Sequence, residues 1–188
     1  MKRIFSKVSV SIVILITLFL SGCNSYVSKT ETPYIVINNN QKIVKYVVDQ
    51  HPDVIKIKQI VTDYAKAYSN RDYKTVKGDE EFEYFSQEWA KKRNDDNYKK
   101  SIVDYYKGNE LVTKFQDLSI SKIQFDKKFN TAEVTAVMKS QYISAKDGFF
   151  KANKLQRNSV IQNGVYIKLI KQDNNWKIDS VGIGSTKK

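Results

Sequence analysis

The chain has 188 residues, of which 32 are lysine or arginine and 20 are aspartate or glutamate, so the formal net charge is +12 at pH 7. A single cysteine excludes an intrachain disulfide, and one cysteine with one histidine leaves no ligand set for zinc. The seven glycines are scattered and form no phosphate-binding loop, so we expect no metal and no cofactor.

The start of the chain has the layout of a secretory signal. Lys2, Arg3 and Lys7 make the first seven residues basic, and residues 8–20 carry no charge. As a helix, these thirteen residues rise about 20 Å, which is short of a hydrocarbon core roughly 30 Å thick. We therefore predict that residues 1–22 are a signal peptide that is removed on export.

The apolar run ends in Leu20-Ser21-Gly22-Cys23, and this sequence resembles the lipobox of bacterial lipoproteins. The resemblance implies cleavage between Gly22 and Cys23 and a diacylglyceryl group on the thiol of Cys23. We expect an exported protein, held by membrane lipid on the outer face of the cell membrane. Its remaining 29 basic and 20 acidic residues give a charge of +9. A composition rich in Lys, Asn and Ile suggests a Gram-positive bacterium.

Most of the positive charge comes from lysine. Only Arg3, Arg71, Arg93 and Arg157 are arginine, the usual side chain for forked phosphate recognition. The lysines are spread along the chain, which indicates a solvated surface near an anionic membrane. We therefore expect no specific nucleic-acid partner.

Two segments separate the predicted lipid site from the main domain. Residues 23–33 are polar and lack apolar periodicity, which predicts a flexible tether. Residues 34–51 form an N-terminal extension in which two apolar runs flank three asparagines. The pattern fits a β-hairpin, or a strand that leads into a short helix.

The main domain, residues 52–188, begins with a predicted helix at Pro52. Proline fits the first helical turn, and Asp53 complements the positive end of the helix dipole. Apolar residues then recur at steps of three and four, which places them on one stripe. They are Val54, Ile57, Ile60, Val61, Tyr64, Ala65 and Tyr68. We predict a short second helix over residues 73–78 and a third over residues 98–111.

From Thr113 onward the apolar period changes to two, which predicts β-strands. The phase of the alternation shifts near Ser121 and Lys122, which predicts a bulge. Residues 126–130 are typical of a hairpin loop, and residues 144–153 are predicted as a second loop. Short polar connections of this kind indicate an antiparallel sheet.

Helices followed by a bent antiparallel sheet predict an α+β fold. The segments "YAKAYSNRDYKTV", "EYFSQEW" and "NNWKIDSVGI" resemble the nuclear transport factor 2-like superfamily, and the resemblance covers about residues 52–183. It implies a cone in which helices close one side of a strongly curved antiparallel sheet. This fold serves many functions, so three functional hypotheses stay open.

The first hypothesis, which we favour, is a non-catalytic binding or assembly module at the cell envelope, with an envelope protein as a possible partner. Some proteins of this kind resemble the scaffold component of conjugative type IV secretion systems. That component normally has a membrane span instead of a lipobox, and this chain departs from it there.

The second hypothesis is an enzyme that resembles ketosteroid isomerases and polyketide cyclases. Such enzymes use an acid or base and a hydrogen-bond donor inside an apolar cone, where burial raises the pKa of a carboxyl group. The candidates for the acid or base are Asp63 and Asp104, and the candidates for the donor are Tyr64 and Tyr106.

The third hypothesis is binding of a small ligand in the cone without turnover. Twelve tyrosines and nine phenylalanines are available to line a pocket. We further predict an exposed apolar rim that contacts a partner or lipid headgroups. Its residues are Tyr142, Phe149, Phe150 and Tyr166.

Overall fold

The structure, a computed structural model, describes residues 34–38, 40–95 and 97–185. The predicted signal peptide, the tether and the lipidation site at Gly22 and Cys23 lie outside these residues. The strands are β1 Tyr34–Ile37, β2 Ile43–Tyr46, β3 Arg71–Asp72, β4 Val112–Phe125, β5 Thr131–Ser144, β6 Val160–Gln172 and β7 Asn175–Ser185. The α-helices are α1 Pro52–Ser69, α2 Gln87–Asp95, α3 Tyr98–Asn109 and α4 Asp147–Asn153, and a 3-10 helix spans Phe82–Tyr84.

The strands form one curved sheet in the order β2-β1-β4-β5-β6-β7, with β3 paired to β4. The long strands pair antiparallel, and β1 is parallel to β4. This arrangement confirms the predicted α+β class. Of the two alternatives for the N-terminal extension, the hairpin is the one observed, because β1 and β2 pair antiparallel. The extension therefore belongs to the same sheet as the main domain.

Strand β4 bends where the sequence predicts a bulge. Its register with β5 shifts between Ile120 and Lys122, and again between Phe115 and Asp117. The predicted hairpin loop after β4 is confirmed. In that loop Asp126 Oδ1 accepts hydrogen bonds from the backbone N–H groups of Asn130 and Thr131, at 2.7 and 2.8 Å. A bulge increases local twist, so β4 curves around the helices.

The apolar stripe of α1 packs on the sheet as predicted. Val54, Ile57 and Val61 have no exposed surface and belong to the main core. Opposite them lie buried residues from four strands, which are Ile123, Phe125, Val134, Ile167, Leu169, Trp176 and Ile178. Removing these apolar side chains from water supplies the main driving force for holding α1 on the sheet.

Two predicted segments differ from the structure. Residues 73–78 form a turn over residues 73–75 and an irregular segment after it, and not a helix, because the Asp72 side chain accepts a hydrogen bond from Lys74 N at 2.8 Å and supports a local turn. Gly78 then takes φ +82°, which glycine adopts readily. Residues 144–153, predicted as a loop, contain α4. Burial of Phe149 and Phe150 against Tyr106 and Leu111 stabilises this helix despite Gly148.

The carboxylate of Asp53 connects the N-terminus of α1 to strands β6 and β7. Asp53 accepts hydrogen bonds from Trp176 Nε1 at 2.8 Å and from Lys171 Nζ at 3.1 Å. Burial alone would raise the pKa of Asp53, but the hydrogen bonds from Trp176 and Lys171 lower it below its ordinary value of 3.8. The ionised form of Asp53 therefore stabilises the fold.

We predict that Asp53→Asn lowers the free energy of unfolding at neutral pH by about 2 kcal/mol, because the amide loses charge-assisted hydrogen bonds. Since the folded pKa is lowered, this stabilisation is present above pH 3.8 and is lost as the pH falls through the folded value. Urea unfolding at a series of pH values should therefore show a weaker acid dependence for Asp53→Asn. The control Asp173→Asn removes a charge from an exposed turn and should behave like the wild type. An unchanged acid dependence in Asp53→Asn would contradict this role.

Candidate functional site

A cavity of about 280 Å³ opens on the helix-covered side of the sheet, and we name it the tyrosine cavity. The end of α1, β3 and α3 form its walls, and β4, β5 and β6 form its floor. Its lining residues are Tyr68, Ser69, Arg71, Ile102, Tyr105, Tyr106, Leu111, Thr113, Ser140, Tyr142, Ile161 and Asn163. Aromatic rings, hydroxyl groups, aliphatic side chains, one amide and one guanidinium therefore surround a space just below the usual range of about 300–1,000 Å³ for ligand pockets.

Hydrogen bonds within the protein fix the floor of the tyrosine cavity. Thr113 Oγ1 donates to Ser69 O at 2.7 Å, so the hydroxyl of Tyr106 donates to Thr113 Oγ1 at 3.0 Å. Ser140 Oγ donates to Ser69 Oγ at 2.9 Å, and that hydroxyl points at Met138 Sδ. The floor is a rigid polar network because its buried hydroxyl groups have partners.

Three tyrosines that line the tyrosine cavity keep their hydroxyl groups available. Among the described residues, Tyr68, Tyr105 and Tyr142 have no hydrogen-bond partner for the phenol oxygen. Burial raises the pKa of all three and brings that of Tyr142 to about 12, so each is a neutral phenol near pH 7. Each hydroxyl can donate and accept one hydrogen bond with a ligand.

The charged group of the cavity wall is a buried arginine with a buried partner. Arg71 is 3% exposed and its Nη2 donates to Glu81, which is fully buried. Tyr98 donates its hydroxyl to Glu81 Oε1 at 2.6 Å. Glu80 lies 3.4 Å from Arg71 Nε. The rings of Tyr68 and Tyr106 flank the guanidinium on the cavity side.

The surroundings hold Arg71 ionised. Burial alone would lower the pKa of Arg71, but the charge of Glu81 and its hydrogen bond raise it above the ordinary value. Burial and the negative charge of Glu81 likewise raise the pKa of Tyr98. Because Glu81 compensates Arg71, the cavity presents no uncompensated charge.

The predicted acid and base do not meet in the cavity. Asp63 lies beside the apolar stripe of α1, where it accepts a hydrogen bond from Gln59 at 2.6 Å and lies 3.5 Å from Lys66. Asp104 is exposed on α3 and pairs with Lys100. Neither carboxylate lines the tyrosine cavity. Both follow the helical rule that charged residues lie beside or opposite the apolar stripe.

The predicted hydrogen-bond donors are divided between two places. Tyr106 lines the cavity, as its position on α3 suggests. Tyr64 is 3% exposed within the main core, and its ring lies 6.1 Å from that of Phe85. It lies on the stripe that faces the sheet, so burial raises the pKa of its phenol well above the ordinary value.

The predicted apolar rim is not formed. Phe149 and Phe150 are each 7% exposed and pack in a core around α4, because the helix turns both rings inward. Tyr142 contacts this core, with its ring 5.5 Å from that of Phe149, and also lines the tyrosine cavity. Tyr166 is exposed on β6, and a hydrogen bond to Glu133 raises its pKa to about 12.

The sequence did not single out Arg71, Glu81 or Tyr98. The available signal was weak: an arginine after the first predicted helix and a run of acidic residues soon after it. Among the described residues, no three His, Cys, Asp or Glu side chains cluster as a metal site requires. Within the same residues, no helix has the length and apolar composition needed to cross a membrane.

Comparison with known proteins finds no matching family model and no similar curated sequence. The chain is similar to the solved intermembrane space region of the chloroplast protein ARC6, with a TM-score of 0.48 and 15% identity over 72% of this chain and 99% of that chain. A second similar structure is an Ntf2-like protein involved in plasmid conjugation, with a TM-score of 0.45 and 12% identity over 69% of this chain and 48% of that chain.

A third similar structure is Bd1075 of Bdellovibrio bacteriovorus, with a TM-score of 0.45 and 12% identity over 78% of this chain and 46% of that chain. The matched regions therefore span about half the length of the second and third structures. With identities of 15% or less and TM-scores below 0.5, these likenesses carry no argument about the function of this chain.

We predict that Glu81→Gln destabilises the domain by about 3–5 kcal/mol, because it removes the fully buried counter-charge of Arg71 and leaves the partly exposed Glu80 as the remaining carboxylate beside it. The double variant Arg71→Met/Glu81→Leu should recover most of this loss, since apolar residues can replace a buried pair. Urea unfolding measures both changes. The control Asp104→Asn breaks an exposed pair and should cost at most about 0.5 kcal/mol. An equal effect of Glu81→Gln and Asp104→Asn would show that the buried pair has no structural role.

Proposed function

We propose that this chain is a lipid-anchored protein of the bacterial cell envelope whose folded domain is a non-catalytic binding module. The domain binds a small uncharged ligand in the tyrosine cavity, and the anchor at Cys23 holds it outside the cell. The binding role rests on one observation, which is the set of residues that line the tyrosine cavity. The proposed location at the cell envelope rests on the resemblance of residues 20–23 to a lipobox.

The chemistry of the tyrosine cavity supports an uncharged ligand. Arg71 is the one ionised side chain among the described lining residues, and Glu81 offsets it. A charged ligand would lose hydration without a free counter-charge, which is costly in a buried site. Neutral hydroxyl groups of a ligand can instead pair with Tyr68, Tyr105 and Tyr142. A ligand the size of a monosaccharide fits the volume of about 280 Å³.

The position of the carboxylates supports binding over turnover. General acid or base catalysis needs a titratable group within hydrogen-bond reach of the reacting atom. Asp63 and Asp104 lie outside the cavity. The tyrosines that line it have pKa values above the ordinary range, which makes them poor bases near neutral pH.

A role as a conjugative scaffold remains an alternative hypothesis. One similar structure is described as involved in plasmid conjugation, but its likeness to this chain is one of fold at 12% identity. We therefore place the ligand-binding role first.

We predict that neutral monosaccharides bind the wild-type protein and that Ile161→Trp abolishes this binding, because the indole fills the tyrosine cavity. Saturation-transfer NMR with N-acetylglucosamine, glucose and glucuronate measures the effect. The matched control Ile183→Trp alters an exposed isoleucine on β7, outside the cavity lining, and should bind like the wild type. Stronger binding of glucuronate than of the neutral sugars would contradict the proposal. So would equal binding by the wild type and Ile161→Trp.

The anchor is tested separately from the cavity. Cells that express the wild-type chain should incorporate radiolabelled palmitate into it and retain it in the membrane fraction, since two acyl chains hold a protein firmly on a bilayer. Cys23→Ala should lose both the label and the retention, and Cys23→Ser serves as a second thiol-free variant. Labelling of the alanine variant, or of neither protein, would contradict lipid anchoring.

A further inference from the structure

More than half of the exposed large apolar side chains of the described domain fall in one short stretch of sequence, from β2 to the first turn of α1. Nine such residues are found in the described chain, and five of them lie between residues 43 and 55. They are Ile43, Val44, Tyr46, Val48 and Ile55, each between 46% and 61% exposed. The other four are spread over α3, β6 and β7. A local concentration of exposed apolar residues marks a contact surface.

Lysines accompany these apolar residues and have no acidic partner among the described residues. Lys42, Lys45 and Lys56 are exposed and form no ion pair there. The acidic residues of the same region are both engaged, because Asp49 pairs with Lys58 and Asp53 with Lys171. We name the five apolar residues and these three lysines the hairpin surface. Its net charge is positive.

We propose that the hairpin surface docks on a bilayer that contains anionic lipid. The proposal rests on the lipid anchor of the proposed function and adds a second, non-covalent contact with the same membrane. Apolar side chains beside lysines are the combination that binds the interface of anionic bilayers. Lysines near such a surface are attracted by the anionic headgroups.

The position of the hairpin in the chain supports the membrane as its partner. Only residues 23–33 separate the proposed anchor from Tyr34, the first residue of β1, and a fully extended chain of that length reaches at most about 40 Å. Strand β2 pairs with β1 and therefore lies next to the point where the tether joins the domain. Of all parts of the described domain, the hairpin is closest along the chain to the bilayer.

The same features argue against a second copy of the chain as the partner. Strand β2 is the edge of the described sheet, and an exposed apolar edge can pair with another strand. Lys42 and Lys45 lie at this edge, so pairing between two copies would bring like charges together. Anionic headgroups instead neutralise these lysines.

The experiment uses the mature lipidated protein in nanodiscs. Because the thiol of Cys23 carries the lipid, Val44→Cys introduces one free thiol for an environment-sensitive fluorophore. The matched control is Lys151→Cys on α4, which is exposed near the opposite end of β4, a strand of 14 residues that spans roughly 45 Å. Nanodiscs of phosphatidylglycerol and phosphatidylcholine contain a doxyl-labelled quencher lipid.

Quenching at position 44 should exceed quenching at position 151 by about threefold in discs with phosphatidylglycerol, because only the hairpin enters the interface. Charge reversal of Lys42, Lys45 and Lys56 to glutamate, or discs of phosphatidylcholine alone, should reduce it to the control level. Equal quenching at the two positions would overturn the proposal. A blue shift of the fluorophore at position 44 that grows with the number of proteins per disc, without quenching by the labelled lipid, would indicate self-association. That result would also overturn the proposal.

Mass spectrometry before reconstitution separates this proposal from the one on which it rests. A chain without lipid on Cys23 would contradict the anchor and remove the basis of the docking surface with it. A lipidated chain without quenching at position 44 would contradict the docking surface alone.

Discussion

The buried contact between Arg71 and Glu81 joins parts of the chain that no regular backbone pairing connects. Arg71 lies in β3, directly after α1, and Glu81 lies next to the 3-10 helix. Tyr98, in the first turn of α3, donates its hydroxyl to the same carboxylate. Loss of one partner from such a pair is far more costly than exchange of both for apolar residues, so each of the two side chains depends on the presence of the other. The walls of the tyrosine cavity depend on that arrangement.

The domain carries different surfaces at the two ends of β4. Near Phe125, β1 pairs with β4 and brings the hairpin surface to that end. Near Val112, β3 pairs with β4, and Thr113 contributes to the floor of the tyrosine cavity. If the hairpin lies on the membrane, the cavity lies toward the other end of this strand. An anchored binding module with this arrangement would keep its cavity accessible from outside the cell.

Local periodicity explains which elements were predictable from the sequence. The stripe of α1, the bulge near Ser121 and Lys122 and the alternating strands arise from burial patterns that repeat along a short segment. Helix α4 does not arise from such a repeating pattern, because it depends on the packing of Phe149 and Phe150 against α3 residues that are distant in sequence. The Arg71–Glu81 contact was unpredictable for the same reason. An acidic run and one arginine are usually solvated, and only the tertiary structure shows that this pair is buried. The resemblance to cone-shaped enzymes is the ground for all four candidates, Asp63, Asp104, Tyr64 and Tyr106, and of these four Tyr106 alone lines the cavity.

Hydrogen exchange of the amide groups of α3 tests the role of the buried contact most directly. If Arg71, Glu81 and Tyr98 hold this helix as a cavity wall, Glu81→Gln should speed exchange around Ile102 and Tyr106 by a larger factor than exchange in the centres of β5 and β6. Local opening of α3 then adds to the effect of the lower global stability. Unchanged exchange in α3, or an equal increase in α3 and the sheet, would contradict the account.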